Sequence, residues 1–346
     1  MIRSAPRAAR RPDARVIARR RVLATVVLGI VSWPLGTLAQ PPPKVPRVGI
    51  LVPQARSGRL LVDAFVEALH ELRHAEGRVV IEWRYSEGKS ERLPALAREL
   101  VQLGVDVIHA VGPDAVEAAR KATTTIPIVG VGGRDPVAVG WAASLARPGG
   151  NITGLTVSHP DLPGKQLELL KEAVPGLSRV AALFDSAHAP TGSPLQVMHD
   201  RTLREAARHL GLQLHIAGVQ GPGDFDQAFA AATRWRAQAL HLNESAMLHG
   251  HRAQLADLAA RTRLPAVASR KETAEAGFLM AYGSDVADLH RRAAVYVDKI
   301  LRGARAGDLP FERPTKFELV INGRTARALG LTIPPSLLLR ANQVLE

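Results

Sequence analysis

From Arg47 onward two hydrophobic periods alternate along the chain, and together they predict the fold. Arg47–Val52 (RVGILV) is a short apolar run of the kind that forms a buried strand. Leu61, Phe65, Ala68, Leu69 and Leu72 then recur at helical spacing and mark one face of a helix. Gly77 ends that region, and Val79, Ile81, Trp83 and Tyr85 alternate as a second strand. Leu93, Leu96, Ala97, Leu100 and Val101 give a second helix, stopped by Gly104. A strand over Val105–Val111, a helix from Asp114 to about Ala122 and a strand over Ile126–Val131 follow. This rhythm predicts a parallel sheet with helices on both faces.

The stretch Asp135–Gly154 reads DPVAVGWAASLARPGGNITG. Asp135 before Pro136 is a helix start, because Asp caps free amides and Pro suits the first turn. The pattern predicts a helix up to Leu145, a stop at Pro148-Gly149-Gly150 and a short extended segment at Ile152 and Thr153, the join between two lobes.

After it the rhythm restarts. A helix carries Leu167, Leu169 and Leu170, and strands are expected at Arg179–Phe184, Leu212–Val219, Ala239–Asn243 and Pro265–Ser269. Helices near Leu195–Leu210, Phe225–Trp235 and Gln254–Arg261 separate them. Phe278–Gly283 is read as the return toward the first lobe, where the helix Val286–Leu301 would pack. The last strand, near Phe317–Ile321, is left without a lobe. The fold class is α/β: two doubly wound parallel-sheet lobes joined by a hinge. The expected division is a signal peptide at 1–39, lobe one at 46–154, lobe two at 155–282, and a region at 283–346 that completes both.

The wording of three segments adds to this. DPV followed by SLARPGGNITG, then GKQLELLKEAVP (Gly164–Pro175), then the run from Tyr282 to Ala341 beginning YGSDVADLHRRAAVYVDKILRG, resemble the substrate-binding proteins of ABC transporters. The family in question has streptococcal members that bind tryptophan and related amino acids. The resemblance covers roughly Arg47–Glu346. It implies capture of a small solute and its delivery to a membrane permease with its ATPase. An amino acid or related carboxylate is the ligand class it implies.

Composition changes the picture mainly at the N-terminus. Residues 1–39 carry eight Arg and one Asp, a surplus of seven that leaves +6 of the chain's +13 for residues 40–346. Arg19-Arg20-Arg21 precede an apolar run from Val22 to Leu38, and Thr37-Leu38-Ala39 offers small residues for cleavage, a signal-peptide pattern. Arg19–Leu23 also approximates the twin-arginine pattern, with Val22 where Phe is preferred. The alternative is a membrane anchor. Against it, Trp33-Pro34 interrupts the run, which falls short of the ~20 residues of a spanning helix.

The chain has no Cys. Disulfides, thiol catalysis and a lipid-anchoring cysteine are therefore excluded. The expectation is a soluble periplasmic protein, monomeric and without cofactor. The charges are mixed along the chain, which argues against nucleic-acid binding.

In open α/β sheets, ligands lie beyond the carboxyl ends of the strands. That rule selects Gln54, Gly112, Asp114, Ala115, Gly133 and Asp135 in lobe one. In lobe two it selects Asp185, Asn243, Glu244 and Ser269, with Tyr282 and Asp285 near the hinge. Gly112–Ala115 opens a helix whose amides suit a carboxylate. Asp114 and Asp135 either cap their own helices or face the cleft. Asn243-Glu244-Ser245 offers hydrogen bonds to a zwitterion or caps the next helix. Tyr282 stacks on a flat ligand or packs the hinge, and Arg270 pairs a carboxylate or lies at the surface. Trp83, Trp141 and Trp235 read as packing residues.

No catalytic residues and no metal ligands are assigned. His249 and His251 lack a third ligand, and no Gly-x-Ser-x-Gly elbow or phosphate loop is present. The reading is a solute receptor of an ABC importer that works by hinge closure. One alternative is a receptor serving a signalling membrane protein, and a more remote one is a secreted enzyme.

Overall fold

The computed structural model describes residues 45–53, 60–73, 79–157, 159, 161–187 and 194–346. The expected signal peptide and Gln54 lie outside them.

The first sheet is built from β1 (Arg47–Val52), β2 (Val80–Tyr85), β3 (Val107–Val111), β4 (Ile128–Gly132) and β5 (Ile152–Thr156). Their order is β2-β1-β3-β4-β5 and every pairing is parallel. Between them run α1 (Leu60–Arg73), α2 (Leu93–Gln102) and α3 (Pro113–Ala122). Residues of β3, β4 and β5 are buried throughout, as expected for strands covered on both faces.

The segment after β4 departs from the expected helix. Asp135 accepts hydrogen bonds from Val137 N at 2.9 Å and Ala138 N at 3.1 Å, so its capping role is real. The turn it caps does not propagate. Gly140 takes a φ of +73°, and Trp141 folds back to donate its backbone N–H to Pro136 O at 2.8 Å. The indole is buried among lobe-one residues and donates to Glu117 at 3.1 Å. Burial of Trp141 takes the place of helical continuation. Asp135–Gly154 thus links β4 to β5 of one sheet, and the chain leaves lobe one only after Thr156.

The second sheet contains β6 (Arg179–Asp185), β7 (Gln213–Val219), β8 (Ala239–Leu242), β9 (Ala266–Ala268), β10 (Met280–Ser284), β11 (Phe317–Asn322) and β12 (Gln343–Leu345). Its order is β12-β11-β10-β9-β8-β6-β7. Its helices are α4 (Leu162–Ala173), α5 (Pro194–His209), α6 (Phe225–Arg234), α7 (Ala246–Gly250), α8 (Arg252–Arg261) and α9 (Lys271–Glu275). Phe278–Gly283 does not return to lobe one; most of it is β10, in the second sheet. The return is made by α10 (Val286–Leu301), which packs its Leu289, Ala293, Ala294 and Val297 with Phe65 and Leu69 of α1. The chain then crosses back, and β11 joins lobe two antiparallel to β10. The reversal follows from the path: β10 ends at the cleft and the returning chain enters there. α11 (Gly323–Leu329), α12 (Pro335–Arg340) and β12 finish this sheet.

Inside lobe one, α10 meets β3 through two histidines. His109 Nδ1 donates to Val129 O at 3.0 Å, so its Nε2 is the acceptor for His290 Nδ1–H at 3.1 Å. Phe65 stacks on His109 with centroids 4.1 Å apart. Burial pushes the His109 imidazole down to about 4. Burial, and then the neighbouring His109, push His290 well below the ordinary histidine range. Both rings are neutral at pH 7.

Candidate functional site

Three segments pass between the lobes: the one after β5, the one between β10 and α10, and residues 310–316. Thr156 N donates to Glu312 O at 2.9 Å and Glu312 N to Gly154 O at 3.0 Å, tying the third segment to β5. Arg292 of α10 pairs with the Glu312 carboxylate, and the Tyr296 hydroxyl lies 2.7 Å from both Glu312 Oε1 and Pro310 O. Asp285 N donates to Lys316 O at 3.0 Å, and Ser284 Oγ donates to Val157 O at 2.9 Å.

Against this junction lies a cavity of about 310 Å³. Carboxyl ends of strands from both sheets line it, as the topology dictates. Gly133, Arg134 and Asp135 follow β4, and Val157 follows β5. Phe184, Asn243, Glu244, Ser269, Arg270 and Ser284 come from the ends of β6, β8, β9 and β10. Leu162, Pro163 and Gln166 enter from the start of α4, and Arg313 from the crossing segment. The volume is at the small end of the range for ligand pockets.

The floor is a fixed amide network. Gln166 is 2% exposed. Its Nε2 donates to Tyr282 O at 2.7 Å and to Ser269 Oγ at 3.1 Å, and its Oε1 accepts from His241 Nε2 at 2.8 Å. A carbonyl can only accept, so the Tyr282 bond fixes which end of the amide is nitrogen.

The wall carries paired charges. Arg270 Nε and Glu244 Oε1 are 2.6 Å apart. Burial acts to lower the Arg270 pKa, but the Glu244 carboxylate outweighs it and the net direction is upward. Arg134 reaches Asp114 at 3.4 Å. Leu145, Val157, Leu162, Phe184 and Val286 supply apolar surface between these groups.

Of the residues selected from sequence, the structure brings Gly133, Asp135, Asn243, Glu244 and Ser269 together on the cavity. Asp114 stands behind, touching Arg134. Gly112, at φ +83°, and the fully buried Ala115 form the start of α3 and are not among the lining residues. Asp185 is buried below the β8 loop, accepting from Ser245 Oγ at 2.7 Å and Ala187 N at 3.0 Å. Ser245 in turn caps α7.

Tyr282 turns its ring into the lobe-two core, stacked on Phe317 at 5.9 Å, because strand alternation points it to that face. Its carbonyl is what serves the cavity. Asp285 caps α10, accepting from Asp288 N at 2.9 Å, and lines an adjoining cavity of about 200 Å³. There burial, and then Asp285, raise the Glu318 carboxyl.

The model of a family described as ABC transporter substrate binding protein matches residues 47–345. The chain belongs to this family. As a substrate-binding protein it is 24% identical over 268 residues to a tyrosine-binding protein of Clostridioides difficile, covering 77% of this chain and 75% of that one. Its fold is similar to that of a Streptococcus pneumoniae ABC domain in complex with L-Trp, with a TM-score of 0.78 and 23% identity over 87% of this chain and all of that one. A ligand-free, open substrate-binding protein with adhesive properties from Clostridium difficile gives a TM-score of 0.66 at 21% identity, covering 87% and 99%.

Several residues at this substrate-binding protein's cavity were not selected from sequence. Gln166 was open to detection, since it shares a helix face with Leu162, Leu169, Leu170 and Ala173 and so breaks an apolar stripe. His241 breaks the buried strand Ala239–Leu242 in the same way. Arg313 carried no such signal. Among the described residues no group of three or more His, Asp or Glu is placed to hold a metal ion. Nor is any helix there long and apolar enough to cross a membrane.

Proposed function

We propose that this protein is the periplasmic receptor of an ABC importer and that it captures an amino acid by hinge closure. The observation that carries the reading is the cavity at the junction, lined from both sheets by paired charges and apolar side chains. A ligand that bridges two lobes favours the closed state, because only that state gives it both sets of contacts. Residues 1–39 are the cleaved export signal; one lobe runs from β1 to Val157 and is completed by α10, and the other runs from α4 to β10 and is completed by β11 and β12. The receptor acts as a monomer and performs no chemistry on its ligand.

The ligand class is aromatic amino acids, on the strength of the tyrosine- and tryptophan-binding relatives. Phe184, Leu162 and Val286 offer surface for a ring. Gly133, Asp135, Asn243, Glu244 and Ser269 are the proposed contacts, with Arg134, Arg270 and Arg313 beside them. Gly112, Asp114, Ala115, Asp185, Tyr282 and Asp285 act behind them by holding loops and helix starts. The test is a thermal-shift screen of the purified protein against the amino acids. The expected result is a rise in melting temperature that grows with ligand concentration for tyrosine or tryptophan. No shift with any amino acid removes the ligand assignment.

A further inference from the structure

Two serines line the cavity, and their hydrogen bonds give them opposite polarity. Both N–H groups of the Gln166 amide are committed, one to Tyr282 O and one to Ser269 Oγ. Ser269 Oγ is therefore an acceptor toward Gln166, and its own O–H remains to be donated. Ser284 is the reverse. Its O–H is donated to Val157 O at 2.9 Å, across the lobe boundary, which leaves its Oγ lone pairs as acceptors.

From this we infer that the cavity takes a zwitterion in one sense: the carboxylate on the Ser269 hydroxyl and the ammonium on Ser284 Oγ. The inference rests on the amino-acid reading above and goes beyond it by fixing which end of the ligand meets which lobe contact. Beside Ser269, Arg270 lines the same cavity and commits only Nε to Glu244, leaving donors on the other guanidinium nitrogens. Lys271, Glu272, Asp285, Arg291 and Glu318 line the adjoining cavity, where both signs are present, so the orientation is carried by the serine hydrogen bonds and Arg270. A reversed ligand would set its carboxylate against the acceptor side of Ser284 and its ammonium against the donor side of Ser269.

The orientation also has a mechanical content. Ser284 is tied to Val157 of the other lobe, so the ammonium would be read at the junction and the carboxylate on the lobe-two wall.

Calorimetric titration tests this with three probes: L-tyrosine, tyramine, which lacks the carboxylate, and 3-(4-hydroxyphenyl)propionate, which lacks the ammonium. Ser269→Ala should weaken L-tyrosine about 10- to 100-fold, the scale of one hydrogen bond to a charged group, and tyramine by much less, because the two probes share only the loss of the Gln166 contact. Ser284→Ala should weaken L-tyrosine more than the propionate, because those two share only the loss of the Val157 contact. Equal losses for every probe, or the opposite pairing of variant and probe, overturn the orientation. Where an analogue binds too weakly to titrate, the crystal structure of the L-tyrosine complex decides by whether the carboxylate sits on Ser269 Oγ. If neither L-tyrosine nor L-tryptophan binds the unsubstituted protein, the amino-acid reading falls and the orientation with it. Binding with the wrong pattern removes the orientation alone.

Discussion

Gly283 passes so close to Ser269 that a Cβ on it would lie 1.9 Å from the Ser269 carbonyl oxygen. No side chain fits between these strands without moving backbone. Gly283→Ala should therefore push β9 from β10 and displace Ser269 from Gln166. The expected cost is about 1–3 kcal/mol of stability, as for overpacked interiors, together with weaker ligand binding. Denaturant melts and calorimetry read the two effects. A variant with wild-type stability would show that the strands tolerate the separation.

Gln166 is the second test of that floor. Gln166→Leu keeps the volume but leaves His241, Ser269 and Tyr282 O without their amide partner. Each buried polar group so exposed costs about 1–3 kcal/mol, so both melting temperature and affinity should fall. Gln166→Glu retains the acceptor toward His241 and loses the donors. It should lose affinity as well, and wild-type affinity in both variants would exclude the network from the site.

Tyr282 and Asn243 separate side-chain contact from support. Asn243 lines the cavity, so Asn243→Ala should weaken binding with little change in melting temperature. Tyr282 serves through its carbonyl, so Tyr282→Phe should leave binding and stability unchanged. Tyr282→Ala removes the stack on Phe317 and should lower the melting temperature, with a stability loss below the ~3–5 kcal/mol of a fully buried aromatic because the ring is half-buried. A loss of affinity in Tyr282→Phe would return the phenol to the list of ligand contacts.

The buried histidines set an acid limit. His109 is held at about 4 in the folded protein, against about 6.5 in an unfolded chain. Between those values the unfolded chain binds more protons, so stability rises with pH. The contribution is complete above pH ~6.5 and is lost progressively toward pH ~4. His290 shifts in the same direction and adds to it. Urea melts at pH 7.5 and pH 5 should show the drop. Replacing both histidines by Gln should flatten it, and an unchanged slope would assign it to other groups.

The ends of the strands were legible because the chemistry there is local. Apolar runs stop at Gly, Pro or Asp, and the cleft rule then converts strand ends into candidate loops. Gly133, Asn243 and Ser269 emerge this way and line the cavity. What stayed hidden depends on distant partners. The turn after Asp135 gives way because Trp141 is buried against α3, which no local pattern encodes. Ser284, between Tyr282 and Asp285, carries no mark in the sequence, and its polarity exists only through Val157, over a hundred residues earlier. The antiparallel entry of β11 likewise follows from the double crossing and not from its own residues.

The return of α10 to lobe one makes that lobe discontinuous. Phe65, His109 and Leu155 wait for Leu289, Ala293 and Val297, which are synthesised only after five strands of the other sheet. Contacts of such long range form late. A nascent chain emerging from the ribosome therefore carries an unfinished N-terminal half until residue 301 has appeared, and the second sheet in turn waits for β11 and α12, whose Leu319, Ile321 and Leu337 belong to its core. Neither lobe is complete before the chain is nearly finished. A cut between β5 and α10 would strand the first half with its apolar face open to water.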